Sequence, residues 1–195
     1  MKIITAPDYY DIDPEDISVF LAGGITDCED WQSKVIKHIT TYEEKHPMDD
    51  LILFSPRRKD FDIMDRIQTE DQIKWEYKYI YEADIFSMYF CKNTVQPICL
   101  FELGKELVSR VRYNRSVDTL LVNVEKGYCR TDDVRYQIQC ELHDLFGENS
   151  HIYEEHILAL NSNTELCAAR IIAAYYECKA RRCLQNYKVC KTFCQ

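Results

Sequence analysis

The residues best suited to chemistry in this chain are carboxylates. Glu102 stands in Phe101-Glu102-Leu103-Gly104, behind an apolar stretch from Ile98 to Phe101. A helix is expected from about Ile98 to Val111, so Glu102 falls within its first turns, where the helix dipole favours the ionised form. An ionised, fixed carboxylate is a nucleophile toward an anomeric carbon. Glu76 and Asp84 arrive on another helix, and either could supply the acid that protonates a leaving group. Two carboxylates in different environments are what glycosyl transfer needs, one at the oxocarbenium-like centre and one handling the proton. An acid early in a helix also suits plain helix stability, and position alone does not separate the two.

Other chemistries lack their signatures. Gly23-Gly24 does not have GxGxxG spacing, and no GxxxxGK[ST], HExxH, zinc-deaminase or GxSxG pattern occurs. Of ten cysteines, Cys91, Cys99, Cys140 and Cys167 sit in apolar runs and read as buried thiols. Cys178, Cys183, Cys190 and Cys194 lie in a tail without CxxC pairs or accompanying histidines, so no metal site is expected. The chain has 195 residues, and its 24 Lys plus Arg against 33 Asp plus Glu give a net charge of −9. It therefore lacks the positive field that captures duplex nucleic acid, and a small-molecule ligand fits better. The acidic start, with Asp8, Asp11, Asp13, Glu15 and Asp16, is unlike a signal peptide, and no apolar run is long enough to span a bilayer. A soluble, cytoplasmic protein is expected, without a membrane partner.

The elements that must position these carboxylates follow from the apolar pattern. Ile17 to Ala22 reads as a buried strand stopped by Gly23-Gly24. Thr26 with Glu29 forms a possible capping box for a helix on which Trp31, Val35, Ile39 and Tyr42 recur. Leu51 to Phe54 is a second strand, ending in the polar loop Ser55-Pro56-Arg57-Arg58. Thr69 with Gln72 repeats the capping pattern, and Ile73, Tyr77 and Ile80 trace one helix face as far as about Ala83. Strands at Ile85 to Cys91 and Leu120 to Val124, the helix behind Pro97, a helix from Asp132 to Phe146 and a very short strand at His151 to Tyr153 complete the alternation. The chain then reads as helical to its end.

This order predicts an α/β fold: a doubly wound, Rossmann-like parallel sheet of four or five strands. An acidic segment (1–16) precedes the α/β domain (17–153), and a helical, Cys-rich, basic extension (154–195) follows. Ligands bind outside the carboxyl ends of such strands. That singles out Gly23-Gly24, Arg57-Arg58, the loop before Glu102, and Gly127-Tyr128 with Arg130 and Asp133. Residues 179–195 hold Lys179, Arg181, Arg182, Lys188 and Lys191 and no acid. That suits a solvated helix end, or a docking tail for an anionic partner.

The ordered set Phe20-Leu21-Ala22-Gly23, Asp30-Trp31-Gln32, Ser55-Pro56-Arg57-Arg58, Gln72-Ile73-Lys74-Trp75-Glu76, Ala83-Asp84 and Glu102-Leu103-Gly104 resembles the nucleoside 2-deoxyribosyltransferase-like family, over roughly residues 17 to 140. The resemblance implies a flavodoxin-like fold and cleavage or transfer of the N-glycosidic bond of a nucleoside or nucleotide through a covalent glycosyl intermediate. Glu102 matches the nucleophile. Glu76 matches the acid that contacts or protonates the base, where better known transferases carry Asp, and Asp84, at a strand start, has the spacing of a second acid eight residues on or a purely structural role. The family's usual polar or acidic residue a few positions before the nucleophile falls near Gln96-Pro97, a departure at the position implied to recognise the base. The Arg57-Arg58 pair resembles a Pro-Arg-Arg loop whose guanidinium forks could hold a 5′-phosphate, or could pair with Asp60 and Asp62. Trp31 and Trp75 could stack on a base or belong to the core, and Gly23 and Gly24 could let the backbone approach the ligand. No metal or organic cofactor is implied, and a homo-oligomer is. The alternative is a nucleotide-binding protein without turnover.

Overall fold

The alternating pattern folds into a three-layer α/β/α structure. A computed structural model describes residues 1–112 and 117–193, with side chains described at 1–110 and 118–185. In chain order the elements are β1 (Lys2–Thr5), β2 (Ile17–Gly23), α1 (Trp31–Glu43), β3 (Leu51–Ser55), α2 (Arg66–Glu82), β4 (Ile85–Phe90), α3 (Pro97–Arg112), β5 (Leu120–Glu125), α4 (Thr131–Phe146), α5 (Ser150–Ile157), β6 (Leu158–Ser162) and α6 (Thr164–Phe193). All strand pairs are parallel, in the order β1-β3-β2-β4-β5-β6. From β3 to β6 this is the flavodoxin-like order, with β1 added at one edge.

A strand exposes alternate residues to opposite faces, and both faces of this sheet are covered, so the strands are apolar throughout. Phe20 and Ala22 of β2 join Trp75, Tyr79, Leu103 and Leu107 on the side of α2 to α5. Ile17, Val19 and Leu21 join Trp31, Val35, Ile39, Ile171 and Tyr175 on the side of α1 and α6. Among the described residues no helix is long and apolar enough to cross a membrane.

The structure adds to the sequence pattern in several places. The sheet has six strands rather than four or five. Lys2–Thr5, inside the acidic segment, pairs with β3, and Leu158–Ser162 pairs with β5. His151 to Tyr153 belongs to α5, because its short apolar run continues a helical turn instead of starting a strand. Neither expected capping box forms. Asp30 caps α1 through Ser33 N, and Asp65 caps α2 through Ile67 N and Gln68 N, because a carboxylate one residue before the helix reaches those amides directly. On α2 the buried residues are Gln72, Trp75, Tyr79 and Ile80, while Ile73 and Tyr77 are exposed. Cys91, Cys99, Cys167 and Cys178 are buried, but Cys140 lies on the exposed side of α4. Cys190, Cys194, Lys188 and Lys191 lie outside the described side chains. In the basic tail, Lys179 pairs with Asp50, Arg181 with Asp118 and Arg182 with Asp84.

Candidate active site

The chain leaves β2 for β3 on one side and places β4 on the other, so a crevice opens at the carboxyl ends of β2 and β4. A cavity of about 480 Å³ lies there. Its floor is the turn after β2. Gly23 has a φ of 149°, and a Cβ on it would meet Tyr89 O at 2.4 Å. A Cβ on Gly24 would meet Cys28 Sγ at 2.4 Å and Gln96 Oε1 at 2.6 Å. Both glycines are therefore required by close approach as well as by the turn. Trp31 Nε1 donates to Gly24 O (3.0 Å), Gly24 N donates to Gln96 Oε1 (2.9 Å), and Gln96 Nε2 donates to Cys91 O (2.7 Å). The amide of Gln96 thus ties the β2 turn to the loop leading into α3.

The walls are α2 and α3. Trp75 and Tyr79 anchor α2 in the core, which turns Gln72 and Glu76, one helical turn apart, toward the cavity. Leu103 and Leu107 anchor α3, and Glu102 faces the same cavity. Glu102 is the sixth residue of its helix and lies beyond the first turn, where the dipole effect has faded. Burial, and next the negative charge of Glu76, push its carboxyl up to about 8. The expectation of an ionised Glu102 stabilised by the helix start is therefore corrected: burial and the neighbouring charge hold it largely protonated at neutral pH. Burial also raises Glu76, opposed by the hydrogen bond it accepts from Gln72 Nε2 at 2.8 Å.

The two arginines of the β3 loop separate. Arg57 is committed to structure, donating to Gln32 Oε1 (2.9 Å) and Glu29 O (3.0 Å) and pairing with Asp30 (3.3 Å). Arg58 lines the cavity, with its guanidinium over the Phe61 ring at 5.7 Å. Its Nη1 is buried and has no hydrogen-bond partner among the described residues. Neither arginine pairs with Asp60 or Asp62 among the described residues.

Other expected residues lie elsewhere. Asp84 sits at the amino end of β4, accepts from Ser18 N (2.9 Å), Ser18 Oγ (3.0 Å) and Arg182 Nη2 (2.7 Å), and lines a separate cavity of about 290 Å³. Trp31 and Trp75 are fully buried, and neither lines the 480 Å³ cavity. Trp75 instead donates to Asp8 O (2.7 Å), fastening the N-terminal segment to α2. Tyr128 stacks on Phe90 and donates to Val95 O (2.7 Å), which supports the loop before α3 from behind. Arg130 and Asp133 pair with each other at the surface. Gln72 was legible as a capping residue and as the first residue of the Gln72-to-Glu76 motif, although no role in the cavity was read from it; its four-residue step to Glu76 already placed both on one helix face.

The model of the family described as nucleoside 2-deoxyribosyltransferase like matches residues 16–112. That stretch runs from β2 through α3 and contains the residues of the cavity, from Phe20 to Glu102. It is a nucleoside 2-deoxyribosyltransferase-like segment, as the sequence motifs indicated, and the family's function is nucleoside-related glycosyl transfer. No match to a curated protein was found.

Proposed function

We propose that this protein cleaves or transfers the N-glycosidic bond of a (deoxy)nucleoside or nucleoside 5′-monophosphate through a covalent glycosyl-Glu102 intermediate. The observation that carries the reading is that Glu76 and Glu102, on separate helices, line one cavity and interact there electrostatically. Two buried carboxyls that repel each other in this way do not both ionise readily, so the pair retains one proton through the neutral range. The reacting complex uses that proton on Glu76 and leaves Glu102 ionised.

A carboxylate oxygen of Glu102 bonds to C1′ as the C1′–N bond breaks. The bonding electrons pass to the base, whose ring nitrogen takes the proton of Glu76. Water or a second base then attacks C1′, gives a proton back to Glu76, and frees Glu102. Arg58, with a buried donor that has no partner among the described residues, suits a 5′-phosphate. Exposed Ile73, Tyr77, Ile98 and Phe101 on α2 and α3 beside the cavity support association with further copies.

The test is base release, followed by chromatography, from a panel of nucleosides and 5′-monophosphates with and without an acceptor base. Release by the wild type and its loss in Glu102→Ala is the expected result, and dependence on the acceptor separates transferase from hydrolase. Equal release by the variant rejects the mechanism. Ligand binding without any release supports the nucleotide-sequestering alternative.

A further inference from the structure

The cavity carries an unsatisfied acceptor directly beside an acid. Gln72 Nε2 donates to Pro56 O and to Glu76 Oε1, both at 2.8 Å, which commits both of its hydrogens. The carbonyl of Pro56 can only accept, so turning the amide over would set oxygen against oxygen. The orientation of Gln72 is thus fixed by its partners. Its Oε1 is left buried, on a residue that lines the cavity, with no hydrogen-bond partner among the described residues. A buried acceptor held in this way calls for a donor on the ligand.

The neighbouring carboxyl of Glu76 offers the opposite polarity once a ligand that accepts there draws the proton of the pair across from Glu102. An O–H donor next to a C=O acceptor is the complement of a base edge that presents an acceptor next to a donor. The N7 and N6-amino groups of adenine have that order, whereas guanine and hypoxanthine present N7 and O6, both acceptors. An O6 would face Gln72 Oε1 lone pair to lone pair.

We propose that Gln72 and Glu76 together read the N7/N6 edge of a 6-aminopurine, Gln72 Oε1 accepting from N6–H while Glu76 delivers its proton to N7. As N9 departs from C1′, the N9–C1′ electron pair enters the purine ring and the proton at N7 leaves it neutral. Departure of a 6-aminopurine is thereby favoured over that of a 6-oxopurine. The turnover part of this inference rests on the glycosidic reading above; the recognition part does not.

The experiment measures calorimetric binding of free adenine and free hypoxanthine to the full chain, wild type and Gln72→Met, together with base release from adenosine and inosine 5′-monophosphates. Wild type is expected to prefer adenine by roughly tenfold or more, because a site built around a hydrogen bond rejects the analogue that cannot make it. In Gln72→Met, which keeps the length but removes the acceptor, the ratio falls to about one. Equal binding of the two bases by the wild type, binding of neither, or a variant that weakens both while keeping their ratio would each overturn the inference. The wild-type comparison stands even if the variant does not fold. Selective adenine binding without base release would sink the glycosidic reading and leave this recognition intact. Release from the inosine compound alone would do the reverse.

Discussion

The negative charge of Glu76 is, after burial, the largest influence raising the proton affinity of Glu102 across the cavity. The two side chains come from α2 and α3, and each helix is anchored independently, by Trp75 and Tyr79 in one case and Leu103 and Leu107 in the other. The fold therefore fixes the separation of the carboxyls, and their repulsion decides how many protons they hold. In the proposed mechanism, a pair with one proton holds an acid and a nucleophile at once, which neither residue alone provides.

The pH dependence of base release should reflect that shared proton. With Glu102 pushed up to about 8, the singly protonated pair exists below that value and is lost above it. At the acid end both carboxyls are protonated and no nucleophile remains. A bell-shaped kcat/KM profile is expected over roughly pH 5 to 10, with its alkaline limb near pH 8. Glu76→Gln removes the repelling charge, so the ionisation of Glu102 in the variant, followed by carboxyl NMR, should move to lower pH. A profile flat through about pH 9 contradicts the pairing.

Folding stability should show the same group. The carboxyl of Glu102 binds its proton more tightly when folded than in the unfolded chain, where it titrates near 4.3. Its contribution is fully present below that unfolded value and is lost as the pH rises toward 8. Glu102→Gln keeps the shape without the charge. The variant should match the wild type near pH 4 in urea melts and exceed it by roughly 2 kcal/mol near neutrality. Equal midpoints at both pH values would mean that burial of Glu102 costs nothing.

How much of this was legible in the sequence depends on how local each signal is. The apolar runs Ile17 to Ala22 and Leu51 to Phe54 are strands because both faces of the sheet are covered, and their composition says so directly. Lys2–Thr5 and Leu158–Ser162 are partly polar edge strands, stabilised by pairing with β3 and β5 that no local pattern announces. Glu76 and Glu102 were visible because motif and helix face agree. Asp84 was not separable from Glu76 by spacing, since eight residues along a helix and its exit carry the chain about 12 Å toward the other end of the sheet. The protonation of Glu102 was hidden because it arises from burial and from a charge 26 residues away in the chain.

The floor of the cavity should tolerate no side chain at Gly23. A methyl group there would sit 2.4 Å from the backbone oxygen of Tyr89 and 2.7 Å from the Trp31 ring, at a φ of 149° that L residues rarely adopt. Backbone cannot step aside as a flexible side chain can. Gly23→Ala should lower stability by roughly 2–4 kcal/mol in denaturant melts. At Gly24 the obstacles are the side chains of Cys28 and Gln96, so Gly24→Ala should cost less but break the hydrogen bond from Gly24 N to Gln96. Loss of the Gln96–Gly24 link should appear as faster amide exchange at residue 24.

The adjacent arginines should separate by function when each is removed. Arg57 donates to Gln32, Gly24 O and Glu29 O and pairs with Asp30, so Arg57→Ala leaves several acceptors without their donor and should lower stability by roughly 1–3 kcal/mol. Arg58 has one buried donor without a partner among the described residues and lines the cavity. Its charge acts on Asp65, the N-cap of α2, and Glu76 lies eleven residues further along that helix, about 16 Å away along its axis. That separation suits a substrate whose anion lies away from C1′. Arg58→Ala should therefore raise KM for 5′-monophosphates by roughly tenfold or more while leaving KM for the free nucleosides nearly unchanged. Kinetics on matched pairs of nucleoside and nucleotide decide the matter: an equal rise for both members would assign Arg58 to the shape of the cavity, and no rise would remove the phosphate from the reading.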